Sequence, residues 1–223
     1  MRRAQGWCTV WPVTMSTPLR KYHVERREDP SGARHYVTPL GTLPSVTTIL
    51  KGSTSWGFYQ RTSAHAAQAR RRGHDFHEDM AAFLEHGRPS SSAHFPSVLS
   101  FLRRIGSVQL VEGHVWHRDG FAGAVDCVAE VDGVLSVIDW KTSTERRSPE
   151  SFGAAQMQVA AYRAAVQSLY GIDVPRGFVV VALPREDAQV LPTEDIDGEY
   201  EYFLSRLARY RARPGPSRSW IGR

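Results

Sequence analysis

Hydrophobic and polar positions alternate most regularly in the middle of the chain, between residues 108 and 142. Three alternating runs occur there, separated by the dipeptides Asp119-Gly120 and Asp132-Gly133. Alternation predicts strands that bury one face, and an Asp-Gly pair favours a tight hairpin turn. The pattern therefore predicts a three-stranded antiparallel meander.

Patterns on either side of the meander predict helices and one further strand. Phe76, Met80, Phe83 and Leu84 recur at helical spacing. The continuously apolar run 177–183 is typical of a strand at the centre of a sheet. In chain order we predict a hairpin within 22–37, helices over 45–50, 56–72, 74–86 and 95–105, the meander, a helix over 152–170, the strand over 177–183 and a helix over 197–211.

This order predicts an α/β fold in which helices flank a central mixed sheet that contains the meander. Because no linker divides the pattern, we expect a single domain over residues 21–212. Residues 1–20 contain no acidic residue and no long apolar stretch, so we predict a disordered extension there. Residues 213–223 form the predicted tail.

Composition limits the class of partner. The chain has 28 basic and 23 acidic residues, a net charge of +5, which fits a polyanionic partner. Its two cysteines, Cys8 and Cys127, support neither a disulfide framework nor a zinc site. No apolar run approaches the roughly 20 residues of a membrane span. We therefore expect a protein of a reducing compartment with no membrane partner.

The second hairpin places two carboxylates opposite each other. If Asp132-Gly133 forms a two-residue type I′ loop, Val131 pairs with Val134 and Asp126 lies across from Asp139. Bare carboxylates about 5 Å apart repel by roughly 3 kcal/mol at an effective dielectric constant near 20. A divalent cation between them would remove this repulsion, and oxygen ligands with open positions suit Mg²⁺ or Mn²⁺.

Lys141 lies two residues beyond Asp139, so it points to the same face of the strand. Its cross-strand neighbour is Ala124, which leaves room for a ligand. A lysine there could orient an attacking water or stabilise charge on a phosphate. The alternative is an ordinary hairpin with two solvated acids and a lysine.

Glu112 lies on the first strand of the meander, but we predict that it is outside the site. A two-residue turn at Asp119-Gly120 pairs it with Cys127 and directs it to the core face. A bulge near Gly120 or Gly123 would reverse this direction.

Other polar residues could join the two acids. His77, beside the apolar stripe of its helix, is either a third metal ligand or a packed residue. Gln158 and Tyr162 share a helix face and either reach substrate phosphate or form a polar edge. The arginine run that ends at Arg72 is either a phosphate-contacting patch or a solvated face.

These residues form the pattern D-x(12)-D-x-K, preceded by a helical histidine and followed by Q-x-x-x-Y. The pattern resembles the PD-(D/E)xK nuclease superfamily, in the branch that includes the RecB nuclease domain. The segments GAVDCVAEVDGVLSVIDWKTS, LPSVTTIL, GHDFHE and QVAAY are similar to the mitochondrial genome maintenance exonuclease family. The likeness extends over about residues 43–211 and implies a restriction-endonuclease-like core.

The resemblance also implies a metal-dependent exonuclease that acts on single-stranded DNA, with Mg²⁺ as the cofactor and Mn²⁺ as a substitute. By position, the implied metal ligands are His77, Asp126, Asp139 and the carbonyl of Trp140; the catalytic residues are Asp126, Asp139 and Lys141; and the substrate-binding residues are Gln158 and Tyr162. We add Arg72 to the substrate-binding set because of its arginine run.

The segment 56–72 interleaves Trp56, Phe58 and Tyr59 with arginines. Aromatic side chains can stack on bases and arginines can neutralise phosphates, so such a segment is suitable as a path for a single strand. The aromatic residues could instead belong to the core. The alternatives to an exonuclease are a Cas4-like trimming nuclease, a structure-specific endonuclease, or a non-catalytic single-strand DNA-binding protein. We expect the cytoplasm of a bacterial or phage-infected cell.

Overall fold

The computed structural model describes residues 18–52 and 64–213. Most of the predicted N-terminal extension and C-terminal tail lies outside the described residues, as do Trp56, Phe58, Tyr59 and Arg61. The strands are β1 (Glu25–Glu28), β2 (Arg34–Thr38), β3 (Gly41–Pro44), β4 (Ile105–His117), β5 (Phe121–Val131), β6 (Val134–Thr142), β7 (Arg176–Ala182) and β8 (Gln189–Pro192). The helices are α1 (Val46–Gly52), α2 (Ala64–His86), α3 (Phe95–Leu102), α4 (Gly153–Tyr170) and α5 (Ile196–Arg211).

The strands form two sheets. A small antiparallel sheet has the order β1-β2-β3, and a five-stranded sheet has the order β4-β5-β6-β7-β8. Only β6 and β7 are parallel neighbours, and α4 supplies the crossover between them. The predicted α/β fold with a mixed sheet and an antiparallel meander is confirmed. Strand β8 was not predicted, because four residues reading QVLP give too short a pattern to distinguish from a loop.

Hydrophobic cores cover both faces of the large sheet. On one face, helices α1, α4 and α5 pack against residues that include Val128, Val137 and Val179. On the other face, helices α2 and α3 pack against residues that include Cys127, Ile138 and Trp140. We call these the first core and the second core. The sheet is therefore a buried scaffold, and its polar residues are exceptions that need explanation.

Helix α2 continues through Gly73, where we predicted a break between two helices. The expected apolar stripe is present, since Phe76 and Met80 are fully buried in the second core and Leu84 lies beside them. A glycine inside a helix costs only about 1 kcal/mol relative to alanine. Packing of this stripe against the sheet offsets that cost, so the helix does not end.

The second hairpin closes as predicted. Asp132 and Gly133 have φ angles of 50° and 76°, the two left-handed conformations of a type I′ turn. Val131 pairs with Val134, and the pairing continues in this register to Cys127 and Ile138. The regular pairing ends there, so the predicted alignment of Asp126 with Asp139 falls just beyond it.

The first hairpin closes differently, and the prediction for it is wrong. His117 pairs with Phe121, so the loop has three residues rather than two. Gly120 donates its N–H to the His117 carbonyl and has a φ of 82°, as expected for a turn followed by a left-handed residue. The extra loop residue shifts the pairing of β4 with β5 by one residue along the part of β4 next to the turn. Val111 pairs with Cys127 and Gly113 pairs with Val125, so Glu112 lies between these pairs, at the level of Asp126, and is not the partner of Cys127.

None of the helices within the described ranges is both long enough and apolar enough to cross a membrane.

Candidate active site

Helix α2 and strands β4 and β5 bring three potential metal ligands together. One ligand atom from each of His77, Glu112 and Asp126 lies within 4.8 Å of the other two. His77 Nδ1 is 3.4 Å from Asp126 Oδ2 and 3.8 Å from Glu112 Oε1. Among these residues Asp126 is buried, whereas His77 and Glu112 are partly exposed. The group therefore opens toward solvent on one side.

The backbone is irregular where these ligands sit. Glu112 has a φ of 48°, an uncommon left-handed conformation for a residue other than glycine. At the same level β5 changes cores, because Val125 packs in the first core and Cys127 in the second. Simple alternation would have placed Val125 and Cys127 on the same face of the sheet. The irregularity gives Asp126 a position between the two cores. Backbone strain of this kind clusters at functional sites.

A backbone hydrogen bond fixes the Asp126 carboxylate. Its Oδ2 accepts a hydrogen bond of 2.9 Å from the backbone N–H of Trp140. The indole of Trp140 is itself buried in the second core. The carboxylate is thus held by a residue that packing already holds. Ligation by the Trp140 carbonyl stays a prediction.

Asp139 is the most unusual acid of the site. Only 1% of its side chain is exposed, and the Lys141 Nζ lies 2.5 Å from its Oδ2. Apart from this ion pair, neither carboxylate oxygen has a hydrogen-bond partner within the described part of the chain. Burial raises the pKa of Asp139 to about 6, and the charge of Asp126 adds to this rise against the opposing charge of Lys141. A buried carboxylate without hydrogen bonds is costly unless a cation balances it.

The negative charges of the site favour the protonated forms of His77 and Lys141. Burial lowers the pKa of His77, but the charge of Asp126 and hydrogen bonds to Asp126 and Glu112 outweigh it and raise that pKa to about 10. Burial likewise opposes the charged form of Lys141, and the charges of Asp139 and Asp126 nonetheless raise the pKa of this lysine. A metal ion bound through His77 would have to displace the proton from its ring.

The residues present fit a divalent cation. The donor set is one imidazole nitrogen with carboxylate oxygens, which suits Mn²⁺ and Mg²⁺ better than a soft metal. The buried carboxylate of Asp139, paired with Lys141, is a further oxygen donor of the site. That group differs from the predicted ligand set, because it includes Glu112 and does not include Asp139.

The predicted substrate-binding residues lie around this group, in two places. Gln158 and Tyr162 are both buried on α4, and the charges of Asp126 and Asp139 contribute to raising the pKa of Tyr162, after burial. A Cβ atom at Gly123 would approach the Tyr162 hydroxyl to 2.7 Å, so glycine is required for this packing. Arg72 lies on α2, five residues before His77, and lines a cavity of about 370 Å³.

Glu112 is the residue that sequence reasoning missed. The feature that could have indicated its position is the loop before Phe121. Arg118 precedes the Asp-Gly pair there and lengthens the turn to three residues. A glycine in the left-handed third position is common in such loops. The dipeptide alone does not distinguish the two loop lengths.

Comparison with known proteins and the geometry of the site both indicate a nuclease. Residues 58–213 match the PD-(D/E)XK nuclease superfamily, a span of well over half the chain. The chain belongs to the PD-(D/E)XK nuclease superfamily. The family resemblance, the α/β fold and the assignment as a nuclease are therefore confirmed.

Named relatives are also similar to this nuclease. It is 31% identical to mitochondrial genome maintenance exonuclease 1 of Xenopus tropicalis over an alignment of 247 positions, which covers 93% of this chain and 69% of the frog protein. It is 34% identical to the Homo sapiens protein of that name over 187 residues, 69% of this chain and 53% of the human protein. These relatives are named as mitochondrial proteins, so the predicted location in the cytoplasm of a bacterial or phage-infected cell is wrong.

Proposed function

We propose that this protein is a Mg²⁺- or Mn²⁺-dependent deoxyribonuclease that degrades single-stranded DNA from a free end. The observation that carries the proposal is the convergence of His77, Glu112 and Asp126 beside a buried acid and lysine. Likeness to proteins named as exonucleases supports the exonuclease over the endonuclease, and intact acids and lysine argue against a non-catalytic binding protein.

The residues of the site divide the work between binding and chemistry. His77, Glu112 and Asp126 would hold the ion, with Asp139 and the Trp140 carbonyl as further oxygen ligands. A divalent ion supplies charge stabilisation at the phosphate and activates water for attack on phosphorus. Asp139 holds the ammonium group of Lys141 at 2.5 Å, which positions its charge for the developing anion.

The roles of the substrate-facing residues are part of the same proposal. Gln158 and Tyr162 would position the scissile strand from α4, and Arg72 would contact a backbone phosphate from α2. A site covered from one side would admit a single strand more readily than a duplex. We therefore propose that linear single strands are the substrate and that blunt duplexes are cut slowly.

Cleavage assays on end-labelled DNA test the metal and the free end together. With Mg²⁺ or Mn²⁺, linear single strands should be degraded and covalently closed single-stranded circles should persist, and excess EDTA should stop the reaction. Full cleavage in excess chelator would refute the metal requirement. Rapid nicking of the circles would identify an endonuclease instead.

Two substitutions test the chemistry separately from the binding of DNA. Lys141→Ala and Asp139→Asn should each lower the rate of cleavage by about 100-fold or more, because each removes charge that acts on the transition state. Both variants should retain affinity for DNA. A Lys141→Ala variant with the wild-type rate would show that the lysine is only structural.

A further inference from the structure

The start of helix α1 fixes the backbone of Arg34. The Arg34 N–H donates to Thr48 Oγ1 at 2.8 Å, and the Arg34 carbonyl accepts from the Ser45 N–H at 2.8 Å and from the Thr48 hydroxyl at 3.2 Å. The Ser45 hydroxyl in turn accepts from the Thr48 N–H at 3.0 Å. Both hydroxyl side chains are buried. The LPSVTTIL segment therefore forms a clamp, made by Ser45 and Thr48, that holds one arginine.

The same clamp connects the small sheet to the strand that carries a metal ligand. Ser45 forms a parallel bridge with Ala122 of β5, four residues before Asp126. The backbone of Arg34 is thus connected, through Ser45, to the strand that carries Asp126.

One face of the small sheet packs beside β4, the strand that carries Glu112. Arg34 and Tyr36 alternate onto the same face of β2, and Arg26 is the cross-strand partner of Tyr36. The Tyr36 ring packs edge-on against His114, with 5.2 Å between ring centroids. His114 is two residues from Glu112 on β4. The two arginines therefore flank the tyrosine on the side next to the site.

The charges of the two arginines act on groups of the site. Burial raises the pKa of Tyr36, the charges of Arg34 and Arg26 oppose this rise, and the charge of Glu112 adds to it. The charge of Arg34 also acts on the buried Tyr162 of α4. The positive charges of the two arginines and the negative charge of Glu112 consequently act on the same residue, Tyr36.

Neither arginine is neutralised by a partner among the described residues. Arg34 lies across from Glu28 but makes no ion pair with it, and Arg26 makes none. Arg27, by contrast, points to the opposite face and forms a 2.8 Å ion pair with Glu25. Within the described ranges, the guanidinium groups of Arg26 and Arg34 therefore lie without an ion pair on the face of the small sheet that carries Tyr36. The guanidinium group of Arg27 lies on the opposite face and is neutralised by Glu25.

We infer that Arg26 and Arg34 bind the phosphodiester backbone of the single strand as it passes the metal-ligand group. This inference rests on the proposed function and assigns part of the substrate path. The acids of the site repel phosphates, so the strand needs compensating positive charge nearby. Guanidinium groups bind phosphate in paired hydrogen bonds without reading sequence. The clamp fixes the backbone from which one of them extends.

The test compares three single alanine variants, Arg26→Ala, Arg34→Ala and Arg27→Ala. Binding of fluorescein-labelled single-stranded DNA is measured by anisotropy over a salt series, with Ca²⁺ in place of Mg²⁺. For single strands, each lost phosphate contact reduces the slope of log K against log salt by about 0.7. Arg26→Ala and Arg34→Ala should each show this reduction and a raised KM, with kcat close to wild type. Arg27→Ala should match wild type.

An Arg34→Lys variant separates charge from structure, because it keeps the charge and should largely retain the salt slope. Wild-type slopes in Arg26→Ala and Arg34→Ala would overturn the inference, and so would an equal loss in Arg27→Ala. The metal-dependent cleavage by wild type is measured in parallel. If wild type does not cleave while the two slopes still fall, the proposed nuclease function fails and the binding surface stands.

Discussion

The meander has two Asp-Gly turns that look alike in the sequence but close in different ways. At Asp132-Gly133 both residues are left-handed, and the loop has two residues. At Asp119-Gly120 only the glycine is left-handed, and Arg118 belongs to the loop as well. One residue of loop length thus changes which residues of the two strands face each other next to the turn.

The partners of the two turns explain the difference. Tyr200 of α5 donates its hydroxyl to Asp119 Oδ2 at 2.9 Å, and Arg211 donates to the Asp119 carbonyl. The second turn is held by Arg104, which donates to Asp132 Oδ2 at 2.7 Å on the surface. The first loop is therefore fitted to a helix that follows it by some 80 residues, whereas the side-chain contact at the second turn is an exposed ion pair.

The largest effect should come from shortening the first loop. Deletion of Arg118 restores a two-residue turn, which would move Glu112 opposite Cys127 and out of the metal-ligand group. We expect a loss of metal-dependent cleavage of at least about 100-fold. Arg118→Ala, which keeps the loop length, is the matched control and should cleave like wild type. A folded deletion variant with wild-type activity would contradict the assigned register.

The two turn glycines should differ in their effect on activity. Gly120→Ala and Gly133→Ala each force a side chain into a left-handed conformation, so each should reduce the free energy of unfolding by about 1 to 2 kcal/mol in urea denaturation. Gly120→Ala should also slow cleavage, because its Cβ would meet Arg211 and displace the loop. Gly133→Ala should not. Equal losses of activity in the two variants would remove the distinction between the turns.

The smallest effects concern the contacts that hold the turns. Tyr200→Phe removes the hydrogen bond to Asp119 and should cost about 1 kcal/mol of unfolding free energy. Asp132→Asn removes an exposed ion pair yet keeps a residue that tolerates the left-handed conformation, so its cost should stay below about 0.5 kcal/mol. Thermal unfolding monitored by circular dichroism measures both. A larger cost for Asp132→Asn would mean that the second turn is not closed locally.

Local patterns predicted those parts of the fold that local forces determine. The type I′ turn, and the cross-strand register that follows from it, needed only the sequence around Asp132. The first hairpin could not be predicted in this way, because its loop is fitted to α5. Helix α2 likewise passes Gly73 because tertiary packing outweighs a small propensity cost. Glu112 was missed for the same reason, since its face depends on a distant contact.

Binding of Mn²⁺ tests the metal-ligand group most directly, because it needs neither DNA nor catalysis. Electron paramagnetic resonance titrations would compare wild type, Glu112→Gln and Glu130→Gln. Glu130 lies on β5 beside the second turn, opposite Leu135, and serves as the matched control. The prediction is that Glu112→Gln weakens Mn²⁺ binding by at least about 10-fold while Glu130→Gln binds like wild type. Equal affinity in wild type and Glu112→Gln would show that the group formed by His77, Glu112 and Asp126 is not the metal site.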